Sequence, residues 1–432
     1  MKRKIEAELM KWKNAADRKP LILNGARQVG KTYILREFGK NNFQNVVYIN
    51  LERNMSVASY FNDNISPKKI IRYLEAEVNE KIVPGETLII LDEIQSCERA
   101  LTSLKYFEEE ASKYNIAAAG SLLGVAINRE HFSFPVGKVK TLQLFPMDFE
   151  EFLWAKNEHL LIDEIVNGYK NVQPLPEGLH NKAIELYQDY LIVGGMPACI
   201  NKYLETDSYI DVSIVQSEIL NNYLADMAKY ASGADSVKIR ACYNSIPVQL
   251  AKENKKFQYK IVQKGGSSSL FSASLDWLKR AGIILECQKI EQGTEPIAAY
   301  ADPSAFKIYM SDVGLLINKS GMSYATILTG ESNSFMGAVT ENYIAQQLAS
   351  AGLPLYYWSK TNSQAELDFV TQKSNHIIGI EVKKSKHVKS RSLTMFINAY
   401  KPDVAIRFSE KNFGKYNDFR IVPHYGVFCL FK

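Results

Sequence analysis

The chain has 432 residues, enough for two or three domains that each bury a core, and 46% hydrophobic with 23% charged residues excludes extensive disorder. A net charge of +5 is too small to name a partner by itself, no apolar run nears the ~20 residues that cross a bilayer, and charges interrupt the opening MKRKIEAELMKWKN so that no export signal is legible. The five cysteines, Cys97, Cys199, Cys242, Cys287 and Cys429, form no CxxC pair and stand by no His cluster, which leaves reduced thiols in a cytoplasmic protein as the expectation.

Residues 1–150 alternate short apolar runs with helical periodicity: PLILNG followed by a helix from Gly30, then NVVYINLE, TLIILDE, NIAAAGS and KVKTLQLF. The runs are continuous rather than alternating, so the pattern predicts an α/β domain whose largely parallel strands are covered on both faces. Residues 151–235 turn helical through FEEFLWAK, EGLHNKAIELYQDYLIV and SIVQSEILNNYLADMAKY, a helical connector broken at Gly194-Gly195 and Pro197. Residues 236–306 read as helices near Val237–Ala251 and Ser267–Ala281, the strand IILECQKI, a turn at Gly293 and a second strand near Ile297, a winged-helix-like pattern. Residues 307–432 carry a helix from about Gly337 to Ala351 and the strands LYYWSK, ELDFVTQ, HIIGIEVKKS and DVAIRFSE, which describe a compact α/β/α core.

Charge is unevenly spread. Between Lys373 and Lys411 nine Lys or Arg residues (373, 383, 384, 386, 389, 391, 401, 407, 411) face three acids, and KENKKFQYKIVQK from Lys252 holds five lysines and one glutamate. Either run suits a polyanion such as DNA, although a charge run is more often a solvated face.

GARQVGKT, residues Gly25, Ala26, Arg27, Gln28, Val29, Gly30, Lys31 and Thr32, fits GxxxxGK[ST] between an apolar strand and a helix. The glycines permit the bends that turn backbone N–H groups inward, the helix start offers its positive end, Lys31 adds a charge for the β and γ phosphates and Thr32 a hydroxyl for Mg²⁺. TLIILDEIQ ends on Asp92, a second Mg²⁺ ligand, and Glu93, placed to polarise an attacking water. Together they predict an ATP site with hydrolytic capacity. Ser121, at the end of the strand AAAGS, is placed to sense the γ-phosphate, whereas neither Arg27 nor Arg129 can be assigned as an arginine finger, which a neighbouring copy could supply.

In the order GARQVGKT, IILDEIQ, AAGSLLG, FPMDFEEFL, YLIVGGMP, KIYMSDVGLL, ENYIAQQL, ELDFV and IEVKKS, the chain resembles prokaryotic AAA-type ATPases fused to a C-terminal domain of unknown function with a nuclease-like core. The resemblance implies an AAA-like sheet with Ser121 near the sensor position and a winged-helix-like middle region. Lys138, in PVGKV, stands where many relatives have arginine, which weakens any finger at that position.

The C-terminal core carries Glu341 on a helix, Glu366 and Asp368 in ELDFV, and Glu381 and Lys383 in IEVKK, with a turn at Ser374-Asn375. This is similar to PD-(D/E)xK nucleases. Residues i and i+2 of a strand share a face, so Glu381 and Lys383 stand together with Asp368 opposite, while Lys384 points away. Glu341, Asp368 and Glu381 would hold Mg²⁺, and Lys383 would stabilise or help deprotonate the attacking water. KKSKHVKSR from Lys383 would follow a DNA backbone. Three readings stay open: an ATP-dependent enzyme acting on DNA, a nucleotide-controlled binding or regulatory protein with an inert core and a protein partner or second copy, and, less favoured, a small-molecule kinase.

Overall fold

The computed structural model describes residues 1–63, 65–121, 135–231, 233–253, 255–331, 333–360, 365–383 and 390–432. The chain divides into two units, Lys2–Phe145 with Arg280–Gly282, and Pro146–Lys279 with Ile283–Lys432 and Met1.

In the first unit, β1 (Leu21–Asn24), β2 (Asn45–Asn50), β3 (Thr87–Asp92), β4 (Asn115–Ala119) and β5 (Lys140–Gln143) form one parallel sheet in the order β2-β3-β4-β1-β5. Every residue of β3 and β4 is buried, as their unbroken apolar runs require. The two edges differ from the expectation of full cover, since β2 is half-buried and β5, which pairs with β1, is largely exposed. The helix Lys31–Asn42 buries Ile34, Leu35 and Phe38, and Glu98–Glu110 buries Leu101, Leu104 and Phe107, the three- and four-residue spacings that put one apolar stripe on a helix. Leu101 and Leu104 are fully buried, so truncating either to alanine would cost about 2–5 kcal/mol.

The second unit begins with helices. Asp148 caps Phe149–Ala155 by a reciprocal box: its Oδ1 accepts from the Glu151 N–H at 2.9 Å while Glu151 Oε2 accepts from the Asp148 N–H at 3.1 Å. The buried carboxylate of Asp312, in KIYMSDVGLL, accepts from the N–H groups of Leu315 (2.9 Å) and Gly195 (2.6 Å), the latter in YLIVGGMP. A Cβ on Gly194 would stand 2.3 Å from Asp312 Oδ1, so the Gly-Gly pair lets these two segments meet.

β6 (Ile284–Ile290), β7 (Ala301–Met310), β8 (Tyr356–Ser359), β9 (Glu366–Lys373), β10 (His376–Val382), β11 (Val404–Ser409), β12 (Gly414–Tyr416) and β13 (Phe419–Pro423) form a mixed sheet in the order β12-β13-β11-β10-β9-β8-β6-β7. The winged-helix-like expectation differs here. Ile297–Tyr300 is a 3₁₀ turn, the strand starts at Ala301, and β7 runs through the expected boundary at 306 and 307. Its hairpin with β6 continues the C-terminal sheet, because β6 pairs in parallel with β8. The helix Met336–Ser350 packs on β6, β7 and β10, and Arg391–Tyr400 on β9, β10 and β11. No described helix is long and apolar enough to cross a membrane, and all five cysteines are buried and outside any disulfide.

Candidate active site

The phosphate loop lies at the C-terminal end of β1. Gly25 takes φ +155°, and a Cβ there would meet the Leu144 carbonyl oxygen at 2.3 Å, so only glycine lets the loop turn so close to the strand exit. Gln28 and Gly30 also adopt positive φ, at 67° and 94°, and no side chain caps the helix that Lys31 opens, which suits an anion. Lys31 is buried, its ammonium donating to the carbonyls of Gly25 (2.9 Å) and Ala26 (2.8 Å), the oxygens it would exchange for phosphate. Ala26 and Val29 anchor the loop in the core.

The two motifs, sixty residues apart, meet through the hydrogen bond from Thr32 Oγ1 to Asp92 Oδ2 at 2.8 Å. The same carboxylate oxygen accepts from the Tyr48 hydroxyl at 2.8 Å, and burial followed by this bond raises the Tyr48 pKa. Glu93 turns into the left-handed region at φ 51°, a sparsely populated conformation for a non-glycine residue, and its N–H donates to Asp92 Oδ1 at 3.0 Å. Glu93 Oε2 accepts from Gln95 Nε2 at 2.5 Å and from the Ser121 hydroxyl at 3.4 Å. The expected sensor thus touches the expected base.

Three partners escaped sequence reasoning. Tyr48 and Gln95 carried no motif signal. Arg3, also buried, donates to the Val29 carbonyl at 3.1 Å and the Phe145 carbonyl at 2.7 Å, tying the loop to the segment after β5. Lys138 pairs with Glu108 (3.0 Å) and Glu109 (3.2 Å), and Arg129 lies outside the described residues. Thr32 and Asp92 offer hard oxygen donors on one side only, the set that suits Mg²⁺ retaining several waters, so the residues fit that ion.

Residues 17–153 match a family model described as an AAA domain. The N-terminal unit is thus similar to AAA domains along nearly its whole length. Beyond the AAA unit, residues 184–326 and 336–425 match models of two domains of unknown function, DUF8612 and DUF4143. Two uncharacterized proteins, of Mycobacterium bovis and Mycobacterium tuberculosis, are each 40% identical to this chain over 81 residues, 18% of this chain and 18% of theirs. The chain therefore matches less than a fifth of the length of these curated relatives. Among solved structures, a Walker-type ATPase of Pyrococcus abyssi is 14% identical with a TM-score of 0.45, covering 74% of this chain and 95% of that one. AMPPCP-bound DnaA of Aquifex aeolicus is 12% identical with a TM-score of 0.31, covering 65% and 89%.

In the C-terminal sheet, the antiparallel register Ile380↔Phe369 puts Asp368 and Glu381 next in line across β9 and β10. Lys383 Nζ lies 3.9 Å from Asp368 Oδ2 and 4.0 Å from Glu381 Oε1, so these three expected residues meet. Asp368 Oδ2 also accepts from the Val382 N–H at 2.7 Å. Burial raises the Glu381 pKa, while Asp368 first raises that of Lys383.

Glu341 behaves differently from its expected role. Its Oε1 pairs directly with the Lys255 ammonium and its Oε2 accepts from Tyr309 at 3.3 Å, with burial and then Asp368 raising its pKa. Glu366 pairs with the buried ammonium of Lys307 at 2.6 Å. Burial opposes the Lys307 charge, yet Glu341, Glu366 and Asp368 outweigh it and hold its pKa above the usual lysine value. Arg407, paired in register with Glu381, is 2% exposed and brings Nη1 to 3.9 Å from Glu381 Oε2.

Two members of the expected basic surfaces, Lys255 and Arg407, therefore serve inside as counter-ions, because a buried carboxylate without a cation is costly. Lys384 and most of the run after Lys383 lie outside the described residues. Among the described residues no three His, Cys, Asp or Glu side chains group closely enough to hold a metal ion. Glu381 Oε2 is buried without a hydrogen bond, but with Glu341 engaged by Lys255 and Tyr309 the set does not fit a three-carboxylate Mg²⁺ site.

Proposed function

We propose that the chain hydrolyses ATP in its N-terminal unit and that its C-terminal unit binds DNA under nucleotide control. The observation that carries the first part is the Thr32–Asp92 hydrogen bond at 2.8 Å, which joins the phosphate-loop helix to the acidic strand end. The loop N–H groups and Lys31 bind the phosphates, and Thr32 and Asp92 would hold Mg²⁺. That ion would supply neutralisation of the phosphate charge. Glu93 orients and polarises the attacking water, and Ser121 and Gln95, bonded to its carboxylate, keep it aimed. An arginine contributed by a second copy would complete the charge stabilisation.

Lys31→Ala is expected to abolish turnover, and Glu93→Gln to retain ATP while hydrolysing it about 10²-fold more slowly. A Lys31→Ala protein with wild-type ATP hydrolysis would overturn the assignment. For the C-terminal unit the Lys255–Glu341 pair favours a DNA-binding platform over a nuclease. Incubating plasmid and branched DNA with Mg²⁺ or Mn²⁺, with and without ATP, separates the two: intact DNA that is retained by the protein supports the platform, and cleavage lost in Asp368→Ala and Glu381→Ala refutes it.

A further inference from the structure

Four carboxylates, Glu341, Glu366, Asp368 and Glu381, and four cations, Lys255, Lys307, Lys383 and Arg407, form one cluster in the C-terminal unit. With all eight charged its net charge is zero, four minus four. Glu366 and Lys383 are nearly half exposed, but the other six side chains are buried or nearly so, and a divalent ion entering among them would leave two uncompensated positive charges unless a resident cation withdrew.

We propose that the ammonium of Lys255 is the resident cation of this carboxylate face, occupying Glu341 in place of a divalent ion, so that the core is complete without metal. Lys307 and Arg407 are fixed on β7 and β11, with side chains 2% and 3% exposed. Lys255 instead comes from the connection between the helices Gly233–Leu250 and Tyr259–Val262, and its side chain is 16% exposed. Among the described residues it is the cation paired with Glu341, and it comes from outside the sheet. Tyr309, donating to the other Glu341 oxygen, fixes the carboxylate so that one oxygen faces Lys255. An ordinary buried ion pair would show the same contact; what distinguishes a resident cation is that a metal can take its place once it is removed.

The test uses the full chain without nucleotide, so that the phosphate site adds no metal of its own. Mn²⁺ binding is followed by loss of the free-ion EPR signal, and thermal unfolding is recorded with and without Mn²⁺. Wild type is expected to bind no Mn²⁺ that Glu341→Gln removes, and its unfolding to ignore the ion. Lys255→Met is expected to unfold at lower temperature, to recover when Mn²⁺ is added, and to bind one equivalent at least about tenfold more tightly than wild type. Lys255→Met/Glu341→Gln removes both charges and should regain stability with no Mn²⁺ response. Wild type binding Mn²⁺ through Glu341 as tightly as Lys255→Met, or a folded Lys255→Met indifferent to Mn²⁺, overturns the proposal. If Lys255→Met fails to fold alone, refolding in the presence of Mn²⁺ decides: recovery that Lys255→Met/Glu341→Gln does not need supports the proposal, and failure to recover with Mn²⁺ while the double variant folds overturns it. ATP hydrolysis, read in parallel, keeps this outcome separate from that of the ATPase reading.

Discussion

Replacing Gly25 with alanine should disable nucleotide binding while leaving the AAA unit folded. The new methyl would stand 2.3 Å from the Leu144 carbonyl oxygen, against a usual C···O separation of roughly 3.3 Å, so the loop must retreat by about 1 Å. The carbonyl cannot yield easily, because the Leu144 N–H donates to Asn24 at 2.7 Å and Arg3 grips the next carbonyl, of Phe145. A displacement of that size costs about 10² in rate where groups must meet a reacting phosphate. The assay is fluorescent-nucleotide binding and phosphate release, with circular dichroism to verify the fold. Gly85→Ala is the control, since Gly85 also has positive φ (+82°) but nothing within 4 Å of the added Cβ. If Gly25→Ala binds nucleotide like wild type, or Gly85→Ala is equally impaired, the steric reasoning fails.

Tyr48→Phe removes one of two hydroxyl donors to Asp92 Oδ2 and is expected to lower kcat/KM about tenfold; Thr32→Val should be more damaging, because it also deletes a metal-facing oxygen. Burial raises the Asp312 carboxyl to about 6 from an ordinary value of 3.8, so between about pH 4 and pH 6 the folded chain keeps a proton that the unfolded chain has released. Stability should therefore fall as pH rises through that window, by up to about 3 kcal/mol from this group, and Asp312→Asn should flatten its share of the slope in urea titrations; an unchanged slope counts against the assignment. DNA binding by the C-terminal unit should weaken by roughly 10³-fold between ~50 and ~200 mM salt if about six phosphates are neutralised, and a salt-independent affinity would point to a protein partner.

The phosphate site was legible because its chemistry is local: eight consecutive residues shape the cradle and a strand end delivers Asp92 and Glu93. Tyr48 and Arg3 were not, since their roles exist only once strands distant in sequence are paired. The basic runs misled for the opposite reason. Charge counts treat Lys255 and Arg407 as surface, whereas burial of Glu341 and Glu381 draws both inward as counter-ions. Lys307 left a usable signal, a single charge inside the apolar strand FKIYM, the pattern of a residue that must find a buried partner. The hairpin around Gly293 is legible in sequence, whereas the parallel pairing of β6 with β8, which joins it to the C-terminal sheet, is not.

β1 precedes the phosphate loop, yet both its sheet neighbours, β4 and β5, come from residues 115–143. During synthesis the loop can therefore not take its final shape when it leaves the ribosome. It must wait for roughly 120 further residues, until Leu144 closes over Gly25 and Phe145 accepts from Arg3. At about 5–20 residues per second that delay is of the order of ten seconds, and until β4 is made the apolar strand LILN has neither of its sheet neighbours to join. A chain stalled before β4 would display this strand to chaperones, and one stalled before Leu144 and Phe145 would still lack the contacts that shape the loop, so ATP could rescue folding only after residue 145 has been made.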